Sequence, residues 1–299
     1  MSETQSTSNF EIWYNKNYKL LLIIPLALLL ISLAYLGYSY QQTGDFIEKD
    51  ITLTGGTSIT LVTLENSFLI TELKNYLSEK TTNFAIKEIT DLRSGKQKAV
   101  IIESPQSVEE LKPILEGYLG YKLNNENSSI ESTGSSLGES FYNQLRLAIV
   151  ISFIFMALVV FFLFRSFTPS FAVVISAFAD IIMTLALVNF LGMKVSSAGI
   201  TAVLMLIGYS VDSDIMLTTR LLKRQGELNK NLSSAFKTGM TMTLTSIIAL
   251  SVALFITQSF SIVLSQIFTI LLIGLGFDIL NTWTTNASIL KWYMETRHK

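Results

Sequence analysis

Cysteine is absent from this 299-residue chain, and histidine occurs once, as His298 beside the C-terminal residue. The first absence excludes disulfides, thiolate metal sites and cysteine nucleophiles. The second leaves carboxylates to carry any proton chemistry in the interior. Charge is scarce as well: 15% of residues are Asp, Glu, Lys or Arg and the net charge is −1, where soluble domains carry roughly a quarter charged residues. A near-neutral chain offers no electrostatic basis for binding nucleic acid. Phosphate loop, HExxH zinc motif, nucleophile elbow and dinucleotide fingerprint are all missing. Hydrolysis of ATP is therefore unsupported, and energy would have to come from an ion gradient, worth about 2.3 kcal/mol per charge per 100 mV. These absences read as a protein that is not an enzyme and has no cofactor and no metal.

Apolar residues make up 49% of the chain. They gather into six runs long enough to cross a bilayer, which takes about 20 helical residues. The runs lie at 18–39, 144–164, 169–191, 196–217, 240–258 and 262–290. A polar tail, 1–17, precedes the first. That run is longer than a signal-peptide core and no small-residue cleavage site follows it, so it reads as an uncleaved span. If the spans alternate, Lys16, Lys19, Arg165, Arg220, Lys223, Arg224, Lys230, Lys237, Lys291, Arg297 and Lys299 share one side, and Lys194 lies in a short turn on the other. Positive residues in short loops mark the cytoplasm. The expectation is a multi-pass protein of the cell membrane with both termini, including the tail 291–299, cytoplasmic.

Residues 40–141 differ in kind. Ile51 to Leu64 reads as a strand interrupted by Gly55-Gly56, and paired glycines within a strand point to a bulge or close backbone approach. Ser67 to Glu79 has helical spacing. Asn83–Ile89 and Lys96–Glu103 read as strands around an Arg93-Ser94-Gly95 turn. Ser107 to Gly117 reads as a helix opened by a Ser107–Glu110 capping box, and Ser128–Thr133 is a weaker strand. The order β-α-β-β-α-β is that of a ferredoxin-like unit. The expected fold is thus a membrane α-helical bundle of six transmembrane helices, with one α+β ferredoxin-like extracytoplasmic domain between helices 1 and 2. No internal repeat is evident. Many transporters are built from paired repeats, so this layout suits one half of a two-part assembly.

Four carboxylates fall at membrane depth: Asp180, Asp212, Asp214 and Asp278, while Arg220 sits near a boundary. A charge at the centre of a span costs about 2.5–3.5 kcal/mol on insertion scales, so such groups face protein or water and mark function. A carboxyl taken out of water without a cationic partner is driven toward its neutral form. It can then carry a proton in one conformation and release it in another. The alternative is that each Asp caps a Ser/Thr network and never titrates. Helix geometry turns successive residues by about 100°, which sets Asp212 and Asp214 roughly 160° apart. Asp212 shares a face with Gly208 and Asp214 with Ser210. Acids on opposite sides predict a helix buried in the middle of the bundle. Ser196, Ser197, Ala198, Gly199, Ala202 and Gly208 would let neighbours approach closely. Hydroxyls from Thr238 to Ser246 would serve mainly as packing glue.

The stretch IGYSVDSDIMLTTRLLKR (207–224), preceded by the Asp180 helix and a domain bearing TGGT at 54–57, resembles the SecD/SecF family of protein-export membrane proteins. It is similar to that family's smaller, RND-like member in archaeal form. The resemblance covers nearly the whole chain. It implies pairing with a SecD-like subunit, a place beside the Sec protein-conducting channel, action on a translocating polypeptide and use of the proton gradient. Asp180 matches the family's membrane aspartate, with Ala179 where bacterial members have His. Gly208, Tyr209 and Ser210 match its Gly-Tyr-Ser. Ser213 aligns with a bacterial aspartate that here is flanked by Asp212 and Asp214. Arg220 matches the arginine of an Asp-Arg pair whose acid is here Thr219. The expected proton carriers are Asp180, Asp212, Asp214 and Asp278 with Arg220. The rival reading is half of an RND-type proton-coupled exporter of lipids or small molecules, and a third is a scaffold that moves no ions.

Overall fold

The computed structural model describes residues 17–62, 69–81, 84–90, 94–223 and 228–297. Several expected features lie outside these residues: the tail 1–16 with Lys16, Leu64, the start of the Ser67 helix, Asn83, Arg93, Arg224, His298 and Lys299, along with the side chains of Lys223 and Arg297. Among the described residues, six helices are long and apolar enough to cross a membrane: Asn17–Thr43, Ser135–Phe164, Phe167–Phe190, Ser197–Leu222, Leu228–Thr257 and Ile262–Thr296.

The small unit between the first two spans is built on alternation. Strands β1 (Gly56–Val62), β2 (Ala85–Thr90), β3 (Gln97–Ser104) and β4 (Ser128–Thr133) form one antiparallel sheet in the order β2-β3-β1-β4. Ile59 and Leu61 point to one face of β1, and Val100 and Ile102 to the same face of β3. Two helices supply the matching i, i+4 stripes, Leu73 and Leu77 on α3 (Ile70–Lys80) and Leu111 and Leu115 on α4 (Val108–Leu119). All eight of these side chains are fully buried. Burying one such side chain stabilises by about 1.5–3 kcal/mol.

Two local readings are corrected. Ile51–Thr54 is a helical turn, α2, and not the start of a strand. Asp50 accounts for the difference, since its Oδ1 accepts from the backbone N–H of Ile51 (2.6 Å) and its carbonyl accepts from Leu53 and Thr54. An Asp at that position caps a helix. Ser107 holds the N-cap position of α4 with an extended backbone, but its side chain makes no capping bond. Its carbonyl accepts from Glu110 and Leu111 instead.

Gly55 is explained by α5 (Ser135–Phe164), and Gly56 by the end of β3, where a Cβ would stand 2.4 Å from Ser104 O. A Cβ on Gly55 would stand 2.4 Å from Ser135 Cα, and one on Gly138 would stand 2.8 Å from Gly55 N. Gly55 also has φ +83°, a conformation an L side chain resists. The backbones of α2 and α5 therefore touch.

The remaining elements are α1 (Ile23–Thr43), α6 (Phe167–Phe190), α7 (Ser197–Lys223), α8 (Leu228–Thr257), α9 (Ile262–Asn281), a π turn (Thr282–Asn286) and α10 (Ala287–Arg297). The bundle core joins Ile181 and Val188 of α6, Val203, Leu206 and Ile207 of α7, and Ile270 and Leu271 of α9. Gly274 lets α9 close on α7, where a Cβ would meet Leu206 at 2.4 Å. The segment after α1 is stitched to the α6–α7 turn. Val195 N–H donates to Glu48 O (2.7 Å), and Val195 O accepts from Asp50 N–H (3.0 Å). The sheet unit is thereby tied to the bundle within a few residues of its own entry.

Gly55→Ala should destabilise the protein by several kcal/mol, about 1 from the left-handed backbone and about 1–3 from the clash. Gly95→Ala, at φ +65° with nothing within 4 Å, should cost only the backbone component. Thermal or denaturant unfolding compares the two, and equal losses would contradict the α2–α5 contact.

Candidate functional site

Three of the four expected carboxylates meet in the interior. Asp180 and Asp214 are 0% exposed and Asp278 is 1% exposed. They come from the middle of α6, the middle of α7 and the end of α9, and each lies close enough to a neighbour for their charges to repel. None of the described salt bridges reaches them, since those involve Lys49, Lys87 and Lys112 of the sheet unit and its entry. Neutral donors take the place of cations. Asp180 Oδ2 accepts from Ser210 Oγ (2.5 Å) and its Oδ1 from Asn281 Nδ2 (2.7 Å). Asp214 Oδ1 accepts from Asn286 Nδ2 (2.8 Å), and Asp278 Oδ1 from Ser213 Oγ (2.9 Å).

Thr282 lies between the last two acids. Its Oγ1 is 2.9 Å from Asp214 Oδ1 and 3.1 Å from Asp278 Oδ1. A hydroxyl has one proton to give. Thr282 can donate to one carboxylate only, and the second contact becomes a hydrogen bond when that carboxyl itself carries a proton. Ser213 is similarly placed, facing both Ser210 O and Asp278 Oδ1 at 2.9 Å. The network thus has more acceptor contacts than hydroxyl protons, and one extra proton completes the Asp214–Thr282–Asp278 chain.

Some buried oxygens in this region lack a well-aligned hydrogen-bond partner: Asp214 Oδ2, Ser176 Oγ, Thr218 Oγ1 and Asn286 Oδ1, although Ser176 and the Asp214 carboxyl are near enough to bond. Ser176 sits beside the Asp214 carboxyl, and Thr218 lies one turn further along α7. Other helix hydroxyls in the bundle bond back to the preceding turn, as Thr184 does to Asp180 O (2.6 Å) and Thr241 to Lys237 O (2.8 Å). Ser176 and Thr218 do not.

Asp212 stands apart. It is exposed, on an outward stripe of α7 with Thr201, Met205, Gly208 and Tyr209. The opposition of Asp212 and Asp214 is therefore present, but burial of α7 on all sides is not found. One face is packed within this chain and the other is open. Gly208 has nothing within 4 Å of where a Cβ would be, so it makes no close packing here, whereas Gly199 does, against Val195 and Ile270. Tyr209 is 41% exposed. Arg220 is also not brought to the acids: its Nη1 donates to Ser234 O (2.9 Å) and Ser234 Oγ (2.8 Å), linking α7 to α8. Gly55 and Gly56 belong to the domain seat. Of the hydroxyls on α8, Thr243 is buried while Thr241 and Thr245 are exposed and bond to their own helix.

The residues that sequence reasoning missed are Ser176, Ser213, Asn281, Thr282 and Asn286. A signal was available, because Asp278, Asn281, Thr282, Thr285 and Asn286 follow the i, i+3, i+4, i+7, i+8 stripe of one helix face. The π turn at Thr282–Asn286 widens the helix there, and such turns recur at functional sites.

Comparison with known proteins agrees with this architecture. The family model described as protein export membrane protein SecD/SecF, C-terminal, matches residues 117–296. The chain is 39% identical over 285 residues to protein-export membrane protein SecF of Methanocaldococcus jannaschii, covering 93% of this chain and 96% of that one. It is 37% identical over 279 residues to SecF of Methanolacinia petrolearia, covering 93% and 94%. Among solved structures, SecDF from Thermus thermophilus superposes with a TM-score of 0.73 at 18% identity, over 99% of this chain and 40% of SecDF. SecDF in its super-membrane-facing form gives a TM-score of 0.62, again over 40% of its length. At such identity the likeness is one of fold, and the present chain spans less than half of SecDF. With more than half of its residues matched by the family model and near full-length relatives above 30% identity, the chain belongs to the SecD/SecF family of protein-export membrane proteins.

Proposed function

We propose that this chain is the SecF-type accessory subunit of the Sec protein-export machinery, pairing with a SecD-like subunit and driven by protons through its buried carboxylates. The family supports the task. The observation that supports the proton is Thr282, one hydroxyl held between Asp214 and Asp278. A cation-free cluster of three acids is tolerable in a membrane only if charge is neutralised, and here a proton is the neutralising species that the hydrogen-bond inventory has room for.

The open face of α7 supports the partner. Asp212 would be costly against lipid, so a second polypeptide covers the stripe from Thr201 to Asp212. Asp212 then acts at the seam between halves, while Asp180, Asp214 and Asp278 act within this chain. The sheet order β2-β3-β1-β4 with two helices on one face supports reading this part as a ferredoxin-like unit. The positive residues of the short loops put both termini in the cytoplasm and this unit outside, where it meets the translocating polypeptide beside the channel. A small-molecule exporter of the RND type would share the bundle, but no observation on the chain favours that reading.

Reconstituted with its partner in vesicles, the Asp180→Asn variant should lose proton uptake and slow export about tenfold or more, the scale of one charge-assisted interaction. Unchanged export and uptake would reduce the chain to a scaffold. Asp214→Asn should impair both strongly, and Asp212→Asn should weaken co-purification with the SecD-like chain more than it affects proton uptake in complexes that still form. Equal, mild effects at 212 and 214 would refute the division of roles. Pull-down of the intact complex should recover the Sec channel. Recovery of neither the channel nor a SecD-like chain would favour the exporter.

A further inference from the structure

Two unpartnered buried oxygens lie far from the bundle acids, Glu103 Oε2 and Gln106 Oε1. Both residues line a cavity of about 570 Å³ between the end of the sheet and the membrane helices. That volume falls within the roughly 300–1,000 Å³ of ordinary ligand sites. Thr57 and Ser132 of the sheet and Thr54 of α2 contribute to one wall. Residues near helix ends also line it: Lys49 follows α1, Ser135 opens α5, and Lys194 lies in the turn between α6 and α7. Lys194, in the short turn between two spans, sets that side of the cavity beside the lipid headgroups.

Its charges are of both signs and are spread out. Glu103 is 7% exposed, with Oε1 receiving Lys87 Nζ at 2.6 Å, and Lys87 stands 3.6 Å from Asp50 Oδ2. Lys49 is paired with Asp45 at 2.6 Å and lies over the Tyr142 ring. Lys194 is exposed and has no ion pair among the described residues. In the lining itself Glu103 carries negative charge and Lys49 and Lys194 positive charge, with Asp45, Asp50 and Lys87 paired behind them. A site holding charges of both signs suits a zwitterion better than a bare cation or a bare anion. The unpartnered carboxylate and amide oxygens need N–H donors, which a primary ammonium supplies and a trimethylammonium lacks. Lys194, also in the lining, can meet a phosphate.

We propose that this cavity binds a phosphoethanolamine-class zwitterionic headgroup of a membrane lipid, its ammonium donating to Glu103 Oε2 and Gln106 Oε1 and its phosphate held by Lys194. Burial drives the Glu103 carboxyl above its ordinary range, the Lys87 bond opposes this, and nearby Asp50 reinforces it. An ammonium at Oε2 supplies compensating positive charge. Affinity is then greatest where Glu103 is ionised, and it falls as pH drops through that raised range.

The test titrates the purified full-length chain with short-chain lipids of identical tails and different headgroups, following thermal unfolding and the dissociation constant. The phosphoethanolamine lipid should bind about tenfold more tightly than its phosphocholine and phosphoglycerol counterparts, the value of a charge-assisted hydrogen bond. Glu103→Gln should lose that preference together with its acid pH dependence. Because Glu103 also holds Lys87, Gln106→Leu and Lys194→Met serve as milder probes, and each should weaken binding several-fold with folding intact. Equal affinity for ethanolamine and choline headgroups, unchanged affinity in both milder variants, or no binding of any lipid would overturn the proposal. Binding of soluble phosphoethanolamine without binding of the lipid would overturn the lipid as its source.

Discussion

The cost of carboxylates inside a membrane without a cation governs this structure. Asp180, Asp214 and Asp278 are buried as completely as any leucine of the core, and no described salt bridge offsets them. Isolated ionised carboxylates in a low dielectric are prohibitively expensive, so the chain must hydrogen-bond them or let them take up protons. It does the first with Ser210, Ser213, Asn281, Thr282 and Asn286. Neutral donors of this kind stabilise a charged carboxylate without fixing it, because they can turn to serve a protonated one. A lysine in the same place would lock the charge. Among the described residues, the lack of an ion pair at these acids and the wealth of hydroxyls and amides around them have one cause.

That requirement reaches into the shape of the helices. The end of α9 must present Asp278, Asn281, Thr282 and Asn286 inward within two turns, and the π turn at 282–286 lets it do so. Close packing then follows from small residues. Gly274 admits Leu206, and Gly239 admits Trp283, whose ring a Cβ would meet at 2.5 Å. The donors are positioned by contacts that look purely apolar in the sequence. Substituting those glycines would move polar groups that they do not touch.

How much of this was legible depended on whether the signal was local. The six apolar spans, the β-α-β-β-α-β order and strand Ser128–Thr133 follow from periodicity; the described elements keep that order, while helices Ser135–Phe164 and Leu228–Thr257 begin well before the apolar runs at 144 and 240. The role of Asp50 was missed because a capping Asp ahead of ITLT reads equally well as the edge of a strand. Gly55-Gly56 was read as a bulge or a close backbone approach, but the partners, Ser135 for Gly55 and Ser104 for Gly56, lie far along the chain and no pattern in it names them. At the site, the acids stood out because charge is rare in a span. Their donors did not, since Ser, Thr and Asn are common in membrane helices and only packing decides which of them face inward. The geometry that opposed Asp212 to Asp214 was sound, but the conclusion that α7 is enclosed did not follow. A helix can be surrounded by protein in an assembly and still have an open side in a single chain.

The path from acids to sheet unit is short. Asp180 lies on α6 and Asp214 on α7, and the turn between these helices holds Val195, which bonds to Glu48 and Asp50. Asp50 caps α2, which runs through Gly55-Gly56 directly into β1. Ser197 N–H, at the start of α7, adds a bond to Thr52 Oγ1 at 3.1 Å. An axial or rotational shift of α7 must either carry α2 with it or break these bonds. Because α2 also presses backbone to backbone on α5, it has little freedom to lag behind. On the proposed reading, protonation changes at the acids are local events, and a helix pair ending on the domain's own entry segment would give them a mechanical outlet.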